Sequence, residues 1–236
     1  MEQGYRLCSV WDFFLLCDNG EIRPPGRFIV LRCDVDTDPA TALAMWQIEN
    51  ELGIKGSYYF RLHTADITTM RKIWENGCEV GYHYEEIATV AKRHRLRTRE
   101  QVLARLPEIQ TEFETNLDRM RQRTGLPLRT AAAHGDFMNR RLKMTNAELL
   151  RNSEIRRRAR IELEAYDEKV TRFFDTSFID RLPPCLWSPS EPANSSPGTN
   201  YIVRVLVHPR NWRSCIRANL RHNWRRLVEE AHYRLG

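Results

Sequence analysis

Short apolar runs in this chain repeatedly end in an acid or a histidine. Phe28-Ile29-Val30-Leu31 leads into Arg32-Cys33-Asp34-Val35-Asp36, and Glu79-Val80-Gly81-Tyr82 leads into His83-Tyr84-Glu85-Glu86. Arg129-Thr130-Ala131-Ala132-Ala133 leads into His134-Gly135-Asp136, and Ile202-Val203-Arg204-Val205-Leu206-Val207 into His208-Pro209. Such runs predict buried strands. Ser57-Tyr58-Tyr59-Phe60 adds another, rich in β-formers, and residues 201–207 make the strongest and last. Between the strands the spacing turns helical. Residues 38–52 open on Asp38-Pro39, an N-cap followed by proline in the first turn, and stop at Gly53. Residues 65–76 place Ile67, Met70, Ile73 and Trp74 on one face before Gly77, and residues 99–123 carry the stripe Leu103, Leu106, Ile109, Phe113, Leu117 and Met120 before Gly125-Leu126-Pro127.

Strand and helix in alternation imply βα units and a parallel sheet. The chain is therefore α/β, with its acids and histidines gathered at one rim of a sheet or barrel, where α/β enzymes keep their chemistry. The rest is less regular. Residues 1–27 read as an N-terminal extension, whose apolar run at 11–16, closed by Asp18-Asn19-Gly20, predicts a strand or hairpin. Residues 139–168 read as helical and very basic, 182–200 as a loop rich in Pro and Ser, and 210–236 as a C-terminal helix carrying Trp224, Leu227 and Ala231. There is no internal repeat, and residues 1–236 are read as a single domain.

A length of 236 residues suits one α/β domain with a substantial core, and 42% hydrophobic with 29% charged residues is ordinary for a globular chain. The net charge of +6 reads first as a solvated surface. It reads second as attraction to anions: nucleic acid, nucleotide-sugar phosphates or an anionic membrane face. Arg156-Arg157-Arg158 is expected to be a solvated helix face, and nucleic acid is not an expected partner. Six scattered cysteines without a CxxC pair argue against a zinc ribbon or a disulfide scaffold and for buried free thiols. No signal-peptide pattern is present, and Phe13-Phe14-Leu15-Leu16-Cys17 is too short to span a bilayer, so a cytoplasmic protein is expected. No GxGxxG or P-loop pattern points to a nucleotide cofactor.

The chemistry concentrates at the strand ends. Asp34 and Asp36, two residues apart, share one face of a continuing strand; one can bind a divalent cation while the other acts as general base. The competing reading is an N-cap network around Asp36 and Asp38. His83 follows Gly81, which permits close backbone approach, and reads as a metal ligand with Glu85 and Glu86 as partners or further ligands. His134-Gly135-Asp136 repeats the arrangement one unit later and completes an Asp/His/His set suited to zinc or another first-row divalent ion. His208 reads as an acid that protonates a leaving amine, or as a capping residue beside the Pro209-Arg210-Asn211-Trp212 turn. Cys33 sits beside acids that raise its pKa and reads as a buried thiol, while His63, His94, His222 and His232 read as surface.

Together, Asp34-Val35-Asp36, Glu79-Val80-Gly81-Tyr82-His83-Tyr84-Glu85, His134-Gly135 and Leu206-Val207-His208-Pro209-Arg210-Asn211-Trp212 resemble the polysaccharide deacetylase family, carbohydrate esterase family 4. Within that family the likeness is to WbmS-type members from bacterial O-antigen and surface-polysaccharide gene clusters. It runs from about residue 28 to 212. The resemblance implies a distorted (β/α)7 barrel and a metal-dependent hydrolase that removes an N-acetyl or similar acyl group from a sugar; the basic surface adds the expectation of a nucleotide- or lipid-linked sugar. It implies Asp34 as general base, Asp36 and His83 as metal ligands, and His208 as general acid. Glu85, Asp136 and Arg210 are expected to support the site or contact substrate, and zinc is the expected metal, with cobalt, nickel or manganese as alternatives. Two departures stand out. The family's second metal histidine falls four residues after the first, where this chain has Ile87, and its consecutive acids are here split by Val35. Either His134 or Glu86 replaces the lost ligand, with His134 favoured, or metal binding is weak, or the chain is a catalytically degenerate sugar-binding module.

Overall fold

The computed structural model describes residues 4–181, 186–188, 201–212, 220, 223–224, 227–231 and 233. Along these the chain forms strands β1 (Tyr5–Cys8), β2 (Arg27–Val35), β3 (Ser57–Phe60), β4 (Glu79–Tyr84), β5 (Thr130–Ala133), β6 (Leu163–Glu164), β7 (Thr176–Arg181), β8 (Leu186–Ser188) and β9 (Tyr201–Val207). They make one sheet in the order β6-β5-β4-β3-β2-β9-β7-β8, and β1 pairs with the first half of β2. From β6 to β7 in that order, seven strands run parallel and curl into an open half-barrel; β8 runs antiparallel to β7. The architecture is thus the α/β, seven-stranded barrel type.

Strand period 2 sorts the side chains into two layers. Phe28 and Val30 of β2 point inward with Tyr59, Ala132, Leu163 and Ile202, while Cys33 and Val35 point outward into a second core under the helices. The inner layer is closed below by the helix Val10–Leu16, whose Phe13 and Phe14 pack into it. Two hydrogen bonds seat that helix: Val10 N–H donates to Ser57 Oγ at 2.6 Å, and Trp11 N–H to Glu79 Oε2 at 2.7 Å. Gly81 serves the inner layer by lacking a side chain. A Cβ there would lie 2.5 Å from the Tyr59 ring and 2.7 Å from the Thr130 carbonyl oxygen.

Several elements differ from the sequence expectation. The run at 11–16 is helix rather than strand or hairpin, because Ser9 caps it by accepting from Asp12 N–H, and Val10, Phe13 and Phe14 then share one face. The predicted helix at 99–123 is two, Arg99–Ala104 and Leu106–Thr124, since Pro107 has no N–H to give the Leu103 carbonyl. An additional helix, Glu86–Arg93, follows β4. The basic region 139–168 is broken into Phe137–Leu142, Asn146–Arg151 and Ser153–Ala159 before β6, with left-handed residues at Lys143 and Arg160 ending two of the turns. Within 182–200, expected as loop, Leu186–Ser188 is a strand; the remaining residues of that stretch lie outside those described. Of the C-terminal helix, Leu220, Asn223, Trp224, residues 227–231 and Tyr233 are helical, and the rest lies outside the described residues, as do His222 and His232. Arg156 pairs with Asp167 and Arg158 with Glu114 and Glu154, while Arg157 and Arg158 are exposed, as a solvated helix face requires. Cys8, Cys17, Cys33 and Cys78 are buried free thiols. Among the described residues no helix is long and apolar enough to cross a membrane.

Candidate metal centre

At the C-terminal ends of the parallel strands three donor atoms converge. Asp36, just past β2, places Oδ1 at 3.2 Å from His83 Nε2 and 3.1 Å from His134 Nδ1. The two ring nitrogens are themselves 3.1 Å apart. The result is a nearly equilateral triangle. Ligands bound at 2.0–2.1 Å in a tetrahedral or facial octahedral set stand about 2.8–3.4 Å apart, so the triangle has the dimensions of one face of a metal site. The donor states fit as well. His83 Nδ1 faces the Ala132 carbonyl at 2.9 Å, so its proton is committed there and Nε2 presents a lone pair to the triangle. Burial pushes the His134 imidazole below its ordinary pKa, keeping it neutral. Asp36 is held well below the usual carboxylate range: burial opposes this, and the close approach of His134 and His83 outweighs it. Its buried Oδ1 accepts no well-aligned hydrogen bond within the protein. Among the described residues, Asp36, His83 and His134 are the group of this kind that could hold a metal.

The local sequence explains the placement. His83 lies on the inner face of β4, two residues beyond Gly81. His134 is fixed by its own backbone, whose N–H donates to the Tyr84 carbonyl at 2.8 Å and whose carbonyl accepts from Asn146 Nδ2 at 2.7 Å. Ile87 sits in the outer hydrophobic core, fully buried. Glu86 is turned away too. It accepts from Tyr82 Oη at 2.5 Å, Asn116 Nδ2 at 3.0 Å and the Glu85 N–H at 3.1 Å, and burial pushes its pKa up to about 7. Of the two replacement ligands weighed from sequence, His134 is the one the fold brings to Asp36 and His83.

Two further groups, an acid and a histidine, flank the triangle. Asp34 Oδ2 lies 3.5 Å from His83 Nε2, and both its oxygens accept from the fully buried Arg32 at 2.8 Å. Burial raises the Asp34 pKa, but the Arg32 guanidinium more than offsets this, so Asp34 stays ionised. Cys33 registers with Val207, which brings Asp34 and His208 out side by side where β2 and β9 end. His208 Nδ1 meets Asp180 Oδ1 at 2.6 Å, and its backbone N–H donates to Oδ2 at 2.8 Å. Burial lowers the His208 pKa, yet the bond to Asp180 and the charges of Asp36, Asp34 and Asp180 raise it overall.

The remaining expected residues divide. Glu85 and Asp136 both line a cavity of about 920 Å³ that also touches His83 and His134. Glu85 pairs with Arg61 and is pushed down to about 2 by that guanidinium, against the effect of burial. Asp136 caps the helix Phe137–Leu142 through Met138 N–H at 2.8 Å and receives Lys92 Nζ at 3.0 Å. Arg210 is buried and donates to Asn223 Oδ1 at 2.8 Å, away from that cavity's wall. His94 pairs with Glu108 at the surface as expected. His63 is exposed yet lines the cavity, pushed down to about 4 by partial burial and Arg61. Arg32, Arg61 and Asp180 carry much of the electrostatics and were not singled out from sequence. Asp180 could have been, since it ends the short run Phe178-Ile179 as the other acids end theirs.

No protein-family model and no curated protein matches the sequence. Similar solved structures include a CE4 family pseudoenzyme from Bacillus anthracis, with a TM-score of 0.42 and 12% identity over 77% of this chain and 54% of that one. A mutant of that pseudoenzyme with restored enzymatic activity has the same TM-score and identity, over 77% of this chain and 56% of that one. The Xyl-CE4 domain of a multidomain xylanase from the hindgut metagenome of Trinervitermes trinervoides has a TM-score of 0.36 and 13% identity, over 87% of this chain and 83% of that one. The chain spans about half the length of the pseudoenzyme chains.

Proposed function

We propose that this protein is a metal-dependent hydrolase that removes an N-acetyl or similar acyl group from an amino sugar, in the manner of a polysaccharide deacetylase. The observation that carries the reading is the triangle of Asp36, His83 and His134 donors, 3.1–3.2 Å on a side, flanked by an ionised Asp34 and a His208 whose pKa is raised. A divalent ion held there, with zinc the best match to two imidazoles and a carboxylate, would supply Lewis-acid polarisation of the acyl carbonyl. The chain's own groups handle the protons. Asp34 keeps lone pairs beyond its bonds to Arg32 and accepts the proton of the attacking water. His208, whose pKa the bond to Asp180 raises, gives its proton to the amine as the C–N bond breaks, so the products are a free carboxylic acid and a free amino sugar. Resemblance of the sequence motifs to members from surface-polysaccharide gene clusters supports assembly of such a polymer, from precursors in the cytoplasm, as the setting.

The test is elemental analysis of the purified protein alongside acetate release from acetylated amino sugars. About one divalent ion per chain is expected, lost in Asp36→Ala, His83→Ala and His134→Ala. Asp34→Asn and His208→Ala should keep the metal and lower kcat by about 10²–10⁴. Failure to bind zinc, cobalt, nickel or manganese would overturn the reading. Metal without acetate release would instead favour a catalytically degenerate sugar-binding module, for which the absence of a histidine at Ile87 is the motive.

A further inference from the structure

The cavity beside His83 and His134 measures about 920 Å³, near the top of the ~300–1,000 Å³ range of small-molecule sites and roomy for a single acylated sugar. Its wall is rich in cations, and most of them are matched. Arg61 pairs with Glu85, Lys92 with Asp136 at 3.0 Å and Glu229 at 3.2 Å, and Arg93 with both oxygens of Glu112 at 2.6 Å. Arg95 and Arg97 differ. Both line the cavity, both are exposed, and neither side chain has a hydrogen bond or ion pair among the described residues. The acids that line the same cavity are already engaged: Glu85 by Arg61, Asp136 and Glu229 by Lys92, Glu112 by Arg93, and Glu86 by Tyr82 and Asn116. Two unmatched guanidiniums therefore share one cavity with two of the three metal-site donors.

Resting on the deacetylase reading, we infer that the substrate is an acylated amino sugar linked to a diphosphate, which Arg95 and Arg97 receive while the sugar lies against His83 and His134. Planar guanidiniums suit phosphate oxygens through paired charge-assisted hydrogen bonds, and two of them suit two phosphates. A neutral glycan offers them hydroxyl acceptors but no opposite charge. The chain's net charge of +6 adds to the attraction for a dianionic ligand. Nucleotide-linked and lipid-linked sugars share this diphosphate.

The experiment is calorimetric titration with inorganic pyrophosphate at low salt, on metal-depleted wild type, on His83→Ala, and on the double variant Arg95→Gln with Arg97→Gln. Binding is expected in wild type and in His83→Ala, and at least tenfold weaker in the double variant, whose metal content on reconstitution should match wild type. Pyrophosphate that fails to bind wild type, or binds the double variant equally well, overturns the inference and leaves the metal-centre reading standing. If binding passes but no protein takes up metal, the diphosphate site stands and the deacetylase reading falls. Competition by a uridine-diphosphate acetylated sugar and by a polyprenyl-diphosphate acetylated sugar then decides the carrier. Displacement by either supports the inference; displacement by neither, despite pyrophosphate binding, overturns it.

Discussion

Ile87 is the residue at which motif and structure part. Read against the deacetylase motif it is a missing ligand, so Ile87→His looks like a repair. In the fold it is a fully buried member of the outer core. A histidine there would place an imidazole among apolar side chains, so Ile87→His should cost about 2–3 kcal/mol and leave metal affinity unraised. Denaturant titration checks this; a stable variant with raised metal affinity would refute the placement. Asp180 is the converse case, unread in sequence yet decisive for His208. On the proposed mechanism the protonated imidazole is the useful form, so activity should fall as pH rises through the His208 pKa. Removing the Asp180 charge lowers that pKa, and Asp180→Asn should move the descending limb of the kcat/KM profile to lower pH. The linkage sign agrees. A histidine with a raised folded-state pKa adds stability that is full below its unfolded value and lost as pH rises through the folded one, so the stability gap between wild type and Asp180→Asn should narrow toward alkaline pH. Asp34, Asp36, His83, His134 and His208 were legible because each terminates or follows an apolar run. Arg61 and Arg32 were not, because a buried arginine declares itself only through the carboxylate it meets.

Among the elements, the helix Val10–Leu16 was the hardest to read. Its consecutive apolar residues satisfy helical and strand periods alike, and only the Ser9 cap and the space beneath the barrel decide between them. Its task is to fill the bottom of the inner layer, where Phe13 is fully buried against Phe28 at a centroid distance of 5.8 Å. Phe13→Ala should cost about 3–5 kcal/mol, measurable as a lowered urea midpoint. β6 and β7 went unread for other reasons. β6 is two residues long, and β7 mixes polar residues into its pattern, so neither carries a periodic signal. Both gain strand structure from a partner already in place, β5 and β9 respectively.

For the whole molecule, the three donors come from positions after β2, in β4 and after β5, so an ion bound there ties separate βα units together. Such a ligand binds only the folded chain. At 100 times its Kd it adds about 2.7 kcal/mol, which for a domain of this size raises Tm by roughly 5–10 °C. Thermal unfolding with zinc and with chelator should show that shift in wild type and none in Asp36→Ala. The sequence alone determined the alternation of strands and helices, the parallel sheet, and which strand ends carry acids and histidines, since these follow from side-chain period and local turn chemistry. Tertiary structure alone decided that His134, not Glu86, completes the triangle, that Ile87 belongs to the core, and that Arg32 and Asp180 meet Asp34 and His208 and shift their pKa values. Those are distances of a few ångströms between residues tens of positions apart. Only the register of neighbouring strands and the curl of the sheet bring such residues together.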